Sequence, residues 1–291
     1  MKKHGKGHRY MIKYKNNTAR ESAGMKYKLI AFDVDGTLYD YHDKMVHPST
    51  INAIRAAKKA GAWIALATAR SYAELSKVCQ GEIGADYVIG ASGQSIVDAQ
   101  RRSIYAEHFT ETQVERMIAL CEQYDAGLAL KYDHLNCLYR HPEEMRKVFG
   151  NIGESACETI VCSSRDYHHK ELPVGFSIRG ENGVCNQMAQ ALVAYPNDYR
   201  LELFHNGIVA DVFLPSVSKL TALQYLCARL NIQSTQVMAF GDSINDIAMI
   251  KWAGMGIAMG NALEELKQEA NFVCNPGWED GIAKTINEIL N

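Results

Sequence analysis

The sequence lacks the features of a membrane protein or a disulfide-linked scaffold. Its 291 residues contain no run of about 18 apolar residues, which a membrane-spanning helix would need. Its eight cysteines include no CxxC pair, so they indicate reduced thiols rather than disulfides or a zinc site. A formal net charge of −2 gives no indication of a nucleic-acid partner. We therefore expect a cytoplasmic protein, monomeric or homodimeric, with length for about two domains.

The first 28 residues differ from the rest of the chain. Nine lysines and arginines gather there, with Glu21 as the single acidic residue, and no apolar stretch of a secretory signal accompanies them. We expect residues 1–24 to form a disordered basic extension. A start of translation at Met25 explains this segment better than a mitochondrial or plastid presequence, which is richer in Arg and Ser.

The run FDVDGTL at 32–38 carries two carboxylates where an apolar strand, residues 27–32, is predicted to end. Because side chains alternate along a strand, Asp33 and Asp35 point the same way, and Gly36 allows a sharp turn behind them. Asp33 could act as a nucleophile or metal ligand, and Asp35 as a general acid and base. A solvated Asp-Gly turn is the alternative.

A β-α-β unit follows this turn. Residues 48–61 have the pattern of a helix, for which Ser49 is a plausible N-cap, and residues 63–68 form a short apolar strand. Right-handed parallel crossovers bring Thr68 beside Asp33. Thr68 could cradle an anion, cap a helix beginning near Tyr72, or do both, and Arg70 either reaches that anion or pairs with a surface acid.

The pattern changes near Phe109. Between 109 and 213 the sequence alternates short strand-like runs with helical segments, and Asn206-Gly207 is typical of a hairpin turn. The β-α-β pattern then resumes at Lys219. The sequence therefore predicts an α/β protein with a doubly wound, parallel-sheet (Rossmann-like) core, 25–108 and 214–291, and an inserted α+β cap domain, 109–213.

A second acidic group follows the predicted strand at 237–240. Asp242 comes directly after its end, and Asp246 lies four residues further on, beside Asn245. Carboxylates crowded at one sheet edge require a cation, and oxygen ligands favour Mg²⁺ over zinc. A phosphate approaching Asp33 would also require a positive side chain such as Lys219, which could otherwise be an ordinary surface lysine.

The order of these motifs resembles that of the haloacid dehalogenase-like phosphatases, in particular the Cof-like hydrolases, which carry a large cap between the second and third motifs. The resemblance rests on FDVDGTL, Thr68-Ala69-Arg70, Ser218-Lys219 and GDSIND at 241–246, and it spans nearly all of residues 25–291. Leu220 and Ser92 depart from the residues that the family often has at those positions.

The resemblance implies a role for each matching residue. Asp33 would form an aspartyl-phosphate, and Asp35 would transfer the proton. Thr68, Ala69, Lys219 and Asn245 would bind the phosphoryl group. The Mg²⁺ ligands would be Asp33, Asp35 and Asp242, supported from behind by Asp246 and Ser243.

The leading hypothesis is a magnesium-dependent phosphatase acting on small phosphorylated metabolites, of the sugar phosphate, flavin mononucleotide or pyridoxal phosphate type. The alternatives are a phosphomutase of the phosphomannomutase type and a phosphometabolite-binding module with weak turnover. Specificity would come from the cap, where Lys131, Tyr132, Arg179 and His205 are the candidates.

Overall fold

The computed structural model describes residues 26–150 and 157–290. The extension predicted for residues 1–24 lies outside them. The first part of the described chain forms five strands and one α-helix: β1 (Leu29–Phe32), α1 (Pro48–Lys59), β2 (Trp63–Ala67), β3 (Tyr87–Gly90), β4 (Ser95–Asp98) and β5 (Ser103–Ala106).

The middle of the chain has a mixed composition of helices and short strands. Its elements are α2 (Glu111–Gln123), β6 (Gly127–Lys131), β7 (Asn136–Arg140), α3 (Pro142–Gly150), β8 (Thr159–Val161), β9 (Gly175–Arg179), α4 (Val184–Leu192), β10 (Arg200–Phe204) and β11 (Val209–Phe213).

The last part alternates helices and strands. It consists of α5 (Lys219–Leu230), β12 (Val237–Gly241), α6 (Ile247–Trp252), β13 (Met255–Ala258), α7 (Glu264–Glu269), β14 (Phe272–Val273) and α8 (Gly281–Leu290). No helix within the described ranges has the length and apolar character to cross a bilayer.

The first and last parts share one eight-stranded sheet, in the order β14-β13-β12-β1-β2-β3-β4-β5. The strands from β14 to β3 are parallel, which confirms the Rossmann-like core, whereas β4 and β5 add an antiparallel edge that the sequence pattern did not reveal. All four residues of β1 are buried, as expected of a central parallel strand covered on both faces. Phe32 stacks on Phe240 of the neighbouring β12 with ring centroids 5.0 Å apart.

The middle part forms a second sheet with the order β10-β11-β9-β6-β7-β8. It is antiparallel except for the β7–β8 pair. One face packs on helices α2 and α4 through apolar side chains such as Leu130, Phe176 and Val212. The opposite face carries Lys131, Ser177 and Asp211, because residues alternate between the two faces. This is the inserted α+β cap.

A buried glutamine joins the two segments that connect core and cap. The amide of Gln94 donates to the carbonyl of Glu107 in the first connection (3.0 Å) and accepts from the backbone N–H of Leu214 in the second (2.5 Å). Its side chain is fully buried. Gln94 therefore holds the two connecting segments together.

Two local predictions were wrong. Ser49 does not cap α1, because the helix begins at Pro48 after His47, and the Ser49 hydroxyl donates instead to Asp280 near α8. Thr68 does not cap the short 3₁₀ turn at Tyr72–Glu74, because Ser71 takes that position. The predicted Asn206-Gly207 hairpin turn is confirmed: both residues have positive φ, and β10 pairs with β11 around them.

Candidate active site

The acidic motifs meet because β1 and β12 are neighbours. The backbone N–H of Asp33 donates to the carbonyl of Phe240 at 3.0 Å, which aligns the two strand ends. Gly36 has φ +88°, and a Cβ there would lie 2.3 Å from a carboxylate oxygen of Asp242. Thr37 donates to the other oxygen of Asp242 at 3.0 Å. The glycine is therefore required both for its backbone angle and for the approach of Asp242.

Lys219 lies among these carboxylates and is not a surface lysine. It opens α5, and its side chain is only 2% exposed. The Nζ atom donates to Asp33 (2.5 Å), Asp246 (2.7 Å) and the amide oxygen of Asn245 (3.3 Å). All three donors of this ammonium group are thus directed at acceptors of the site.

The loop after β12 is organised around Asp246. One of its carboxylate oxygens accepts from the backbone N–H groups of Asp242 and Ser243, both at 3.2 Å. The Ser243 hydroxyl donates to Asn245 at 2.9 Å. Asp246 is fully buried, so it holds this loop in place and counterbalances Lys219 at the same time.

The charges of the site shift one another's protonation equilibria. Burial raises the pKa of Asp33 well above its ordinary range; Lys219 opposes this effect, while Asp246 and Asp242 add to it. Burial and the charge of Asp246 raise the pKa of Asp242 to about 6. Burial alone would lower the pKa of Lys219, but Asp246 and Asp33 outweigh it and raise that pKa. The site therefore carries more negative charge than one lysine neutralises.

Asp35 lies across the turn from Asp33 and is bound by Arg70. The guanidinium Nε donates to one carboxylate oxygen at 2.7 Å, and a terminal nitrogen donates to the other. Arg70 thus pairs with Asp35, an acid of the site, rather than with a surface acid. Thr68 comes directly after β2, the strand next to β1, and is 1% exposed. Its hydroxyl accepts a hydrogen bond from the backbone N–H of Arg70 at 3.1 Å, which fixes its position.

A cavity of about 320 Å³ joins these groups to the cap. Its floor consists of core residues and contains every predicted site residue except Asp246, which lies behind it. The lining residues of the floor include Asp33, Asp35, Thr68, Ala69, Lys219, Asp242, Ser243 and Asn245. The motifs separated by up to about two hundred residues of sequence therefore form one site.

The cap supplies the roof of this cavity, and two of its four predicted candidates contribute. Lys131 and His205 line the cavity. Tyr132 is buried inside the cap, where its hydroxyl donates to the carbonyl of Glu171 at 3.1 Å. Arg179 pairs with Glu144 and Glu181 away from the cavity. The predictions for Tyr132 and Arg179 were therefore wrong.

Sequence reasoning missed four polar lining residues, Tyr41, Glu74, Ser177 and Asp211. Ser177 and Asp211 are directly paired across β9 and β11, and the Ser177 hydroxyl donates to Asp211 at 2.5 Å. Along each strand polar and apolar residues alternate, so Ser177 and Asp211 lie on one face of the sheet and their chain neighbours Phe176 and Val212 lie on the other. That alternation was a usable signal, since the polar face of a cap sheet must face either solvent or the site.

The donor set at the floor fits a magnesium ion. Asp33, Asp242 and Asp246 each offer a carboxylate oxygen, and these oxygens lie within 4.8 Å of one another. Hard oxygen donors suit Mg²⁺, which typically takes one or two carboxylates together with water and phosphate oxygens. The raised pKa values of Asp33 and Asp242 show the same need for a further positive charge.

Comparison with known proteins agrees with this geometry. The family model for haloacid dehalogenase-like hydrolases matches residues 30–286. The Bacillus subtilis protein YkrA is 31% identical over 271 residues, covering 91% of this chain and 98% of YkrA. The Bacillus subtilis 5-amino-6-(5-phospho-D-ribitylamino)uracil phosphatase YcsE is 27% identical, covering 89% of this chain and 94% of its own.

Solved structures share the fold. A haloacid dehalogenase-like hydrolase from Bacteroides thetaiotaomicron superposes with a TM-score of 0.82 at 20% identity, covering 91% of this chain and all of that one. The chain belongs to the haloacid dehalogenase-like hydrolase family. Within that family it is a phosphoric monoester hydrolase, which confirms the class inferred from the motif order.

Proposed function

We propose that the protein is a magnesium-dependent phosphatase that hydrolyses small phosphorylated metabolites through an aspartyl-phosphate on Asp33. The contact between Lys219 and Asp33 carries this proposal, since it places a buried cation beside a strand-end carboxylate that faces a cavity. A phosphate dianion can approach such a carboxylate only where positive charge offsets the repulsion.

The first chemical step forms a bond between a carboxylate oxygen of Asp33 and phosphorus. The bond from phosphorus to the ester oxygen breaks, and Asp35 protonates that oxygen as it leaves. Asp35 then removes a proton from water, which attacks phosphorus and releases phosphate and free Asp33. Lys219, the Thr68 hydroxyl and the Ala69 backbone amide hold the phosphoryl oxygens in this proposal, with Asn245 beside them.

Arg70 must release Asp35 for this proton transfer. The guanidinium donates to both carboxylate oxygens of Asp35, so it competes for them with the leaving-group oxygen and with water. An incoming phosphate dianion offers Arg70 a competing partner at the same cavity, since both side chains line it. We therefore assign Arg70 the role of holding Asp35 until the substrate arrives.

The residues that would hold Mg²⁺ are Asp33 and Asp242 through their carboxylates and Asp35 through its backbone carbonyl, with Asp246 and Ser243 behind them. The ion would supply positive charge at the phosphoryl oxygens. The division of roles follows the architecture: 25–108 and 214–291 carry the chemistry, and the cap, 109–213, covers it. The eight cysteines are free thiols, which supports a reducing, cytoplasmic location.

The test is the Asp33→Asn variant in an assay of phosphate release from an aryl phosphate with Mg²⁺. We expect release to be abolished while the unfolding transition persists, because the amide keeps the shape but is not a nucleophile. Asp198→Asn is the matched control, since Asp198 lies on the cap and pairs with Arg116 at 2.6 Å. Acid quenching with ³²P-labelled substrate should trap label on the wild type only.

Turnover of Asp33→Asn at the wild-type rate would contradict the covalent mechanism. The alternatives have their own outcomes in the same assay. Dependence on a bisphosphate activator, with no net release of phosphate, would indicate a phosphomutase. Saturable binding without release would indicate a binding module.

A further inference from the structure

The roof of the cavity combines an apolar wall with a charged cluster. Val148, Phe149, Phe204 and Val209 form the apolar wall. The charged cluster, here called the roof cluster, consists of Lys131, Ser177 and Asp211 from the cap and Glu74 from the core. Aromatic and aliphatic walls bind a carbon skeleton, whereas the roof cluster decides which polar groups that skeleton can carry.

The single lysine of the roof cluster has no donor left for a ligand. Its Nζ donates to Asp211 (2.8 Å), to Glu74 (3.1 Å) and to the carbonyl of Ala69 (3.3 Å). An ammonium group has three N–H donors, and all three are engaged. The side chain is 2% exposed, and a Cβ at Gly175 would lie 3.2 Å from its Cδ atom, so Lys131 is closely packed where it is.

The other cations of the cavity are also paired. Among the described residues that line it, Arg70 is bound to Asp35 and Lys219 to Asp33 and Asp246. The roof cluster itself holds two carboxylates and one ammonium group, so its net charge is negative. Lys131 thus offers no donor to a second anionic group of a substrate, and His205 is the other basic side chain of the cap among the described lining residues.

Asp211 has the opposite character, because it retains capacity to accept hydrogen bonds. One of its oxygens accepts from Ser177 and the other from Lys131, whereas a carboxylate can accept about four hydrogen bonds. Its side chain is 13% exposed and lines the cavity. A hydroxyl or ammonium group of a bound substrate would therefore find an acceptor here.

Resting on the function proposed above, we propose that Asp211 and Glu74 select phosphate monoesters whose leaving group is a small polyol, neutral or amine-bearing, and exclude those that carry a second anion. A buried carboxylate next to a substrate carboxylate or phosphate is strongly repelled. The cavity volume of about 320 Å³ is near the lower end for small-molecule sites, which favours compact leaving groups.

Two matched pairs of substrates test this selection. Sorbitol 6-phosphate and 6-phosphogluconate are open six-carbon chains that differ by a terminal alcohol against a carboxylate. Glycerol 3-phosphate and 3-phosphoglycerate repeat that difference on three carbons. We expect kcat/KM to favour the alcohol by at least about tenfold in each pair, as expected when a like charge is desolvated.

The Asp211→Asn variant assigns the selection to a residue. It removes one negative charge at nearly constant shape, so the ratio of kcat/KM between alcohol and carboxylate should fall at least about fivefold. The ratio is taken within one variant, which cancels any common loss of activity. Asp198→Asn is the matched control on the cap, and its ratios should equal those of the wild type.

If the wild type had equal kcat/KM values for alcohol and carboxylate in both pairs, or favoured the carboxylates, this inference would be overturned while the proposed function would stand. That outcome does not depend on any variant. A wild-type ratio retained by Asp211→Asn would overturn the assignment to Asp211. No phosphate release from any of the four esters or from an aryl phosphate would overturn the proposed function, and this inference with it.

Discussion

Two buried lysines face one cavity from opposite sides, and they have nearly the same surroundings. Lys219 of the floor and Lys131 of the roof are each 2% exposed, and each donates to two carboxylates and one amide oxygen. In both cases burial would lower the lysine pKa, but the paired carboxylates raise it. Similar electrostatics therefore do not establish a similar role.

The partners of the two lysines differ in position. All three acceptors of Lys219 belong to the core, and one of them is the proposed nucleophile Asp33. Lys131 belongs to the cap, yet it bonds to Glu74 and Ala69 of the core, and Asn136 of the cap also donates to Glu74 at 2.8 Å. We infer that Lys219 serves the reaction and that Lys131 holds the cap against the core.

The strongest test of this difference is Lys219→Met. Loss of the ammonium group should lower kcat/KM by about 10²–10³-fold for every substrate, because it removes positive charge from the reacting phosphoryl group. The ratio between alcohol and carboxylate substrates should not change, since the roof cluster stays intact. Steady-state kinetics on the matched pairs measures both quantities, and a changed ratio would show that the floor also selects the leaving group.

Lys131→Met should lower stability, as loss of either buried lysine should, but it should change selection rather than the chemical step. It leaves Asp211 and Glu74 buried without their shared cation, which should lower the free energy of unfolding by about 3–5 kcal/mol. The roof becomes more negative, so the preference for alcohols over carboxylates should increase. Denaturant unfolding and the same kinetics measure the two effects.

The matched comparison for Lys131→Met is Lys147→Met, because Lys147 is exposed and, among the described residues, pairs with Glu144 alone, on its own helix. That change should cost less than about 1 kcal/mol. If Lys131→Met reduced aryl phosphate turnover as strongly as Lys219→Met, the roof lysine would take part in the chemistry and the distinction between the two would be wrong.

The floor was predictable from sequence, whereas the roof was not. Asp33, Thr68, Lys219 and Asp242 stand at the ends of parallel strands or at the start of the helix returning to the core, and parallel topology brings such positions to one edge. The roof cluster depends on which face of an antiparallel cap sheet turns inward. Lys131 was named among four candidates, but one sequence could not separate it from Tyr132, its neighbour on the opposite face.

The same reasoning explains the errors in the fold. The central strands were found because they are continuous apolar runs, as in β1 and β12. The antiparallel strands β4 and β5 are four residues each, and β5 is partly exposed, so their pattern is weak. The pairings of Ser49 with Asp280 and Gln94 with Leu214 join distant parts of the chain, which local capping and turn rules do not predict.

The dependence of stability on pH also separates the floor from the roof. Burial and Asp246 raise the pKa of Asp242 from 3.8 to about 6, so the folded protein binds a proton there more tightly than the unfolded chain does. Stability must then fall as pH rises through this interval, because deprotonation is harder in the folded state. For protein kept in a chelator, the contribution of Asp242 is about 3 kcal/mol between about pH 4 and pH 6.

Asp242→Asn should remove this part of the pH dependence, whereas Asp211→Asn should leave it in place, since the roof cluster is remote from Asp242 in the network of hydrogen bonds. Mg²⁺ at pH 7 should stabilise the wild type more than Asp242→Asn, because the ion supplies the charge that the crowded carboxylates need. Denaturant unfolding at a series of pH values measures each curve. A slope that Asp242→Asn retains in full would show that other carboxylates dominate the acid response of the floor.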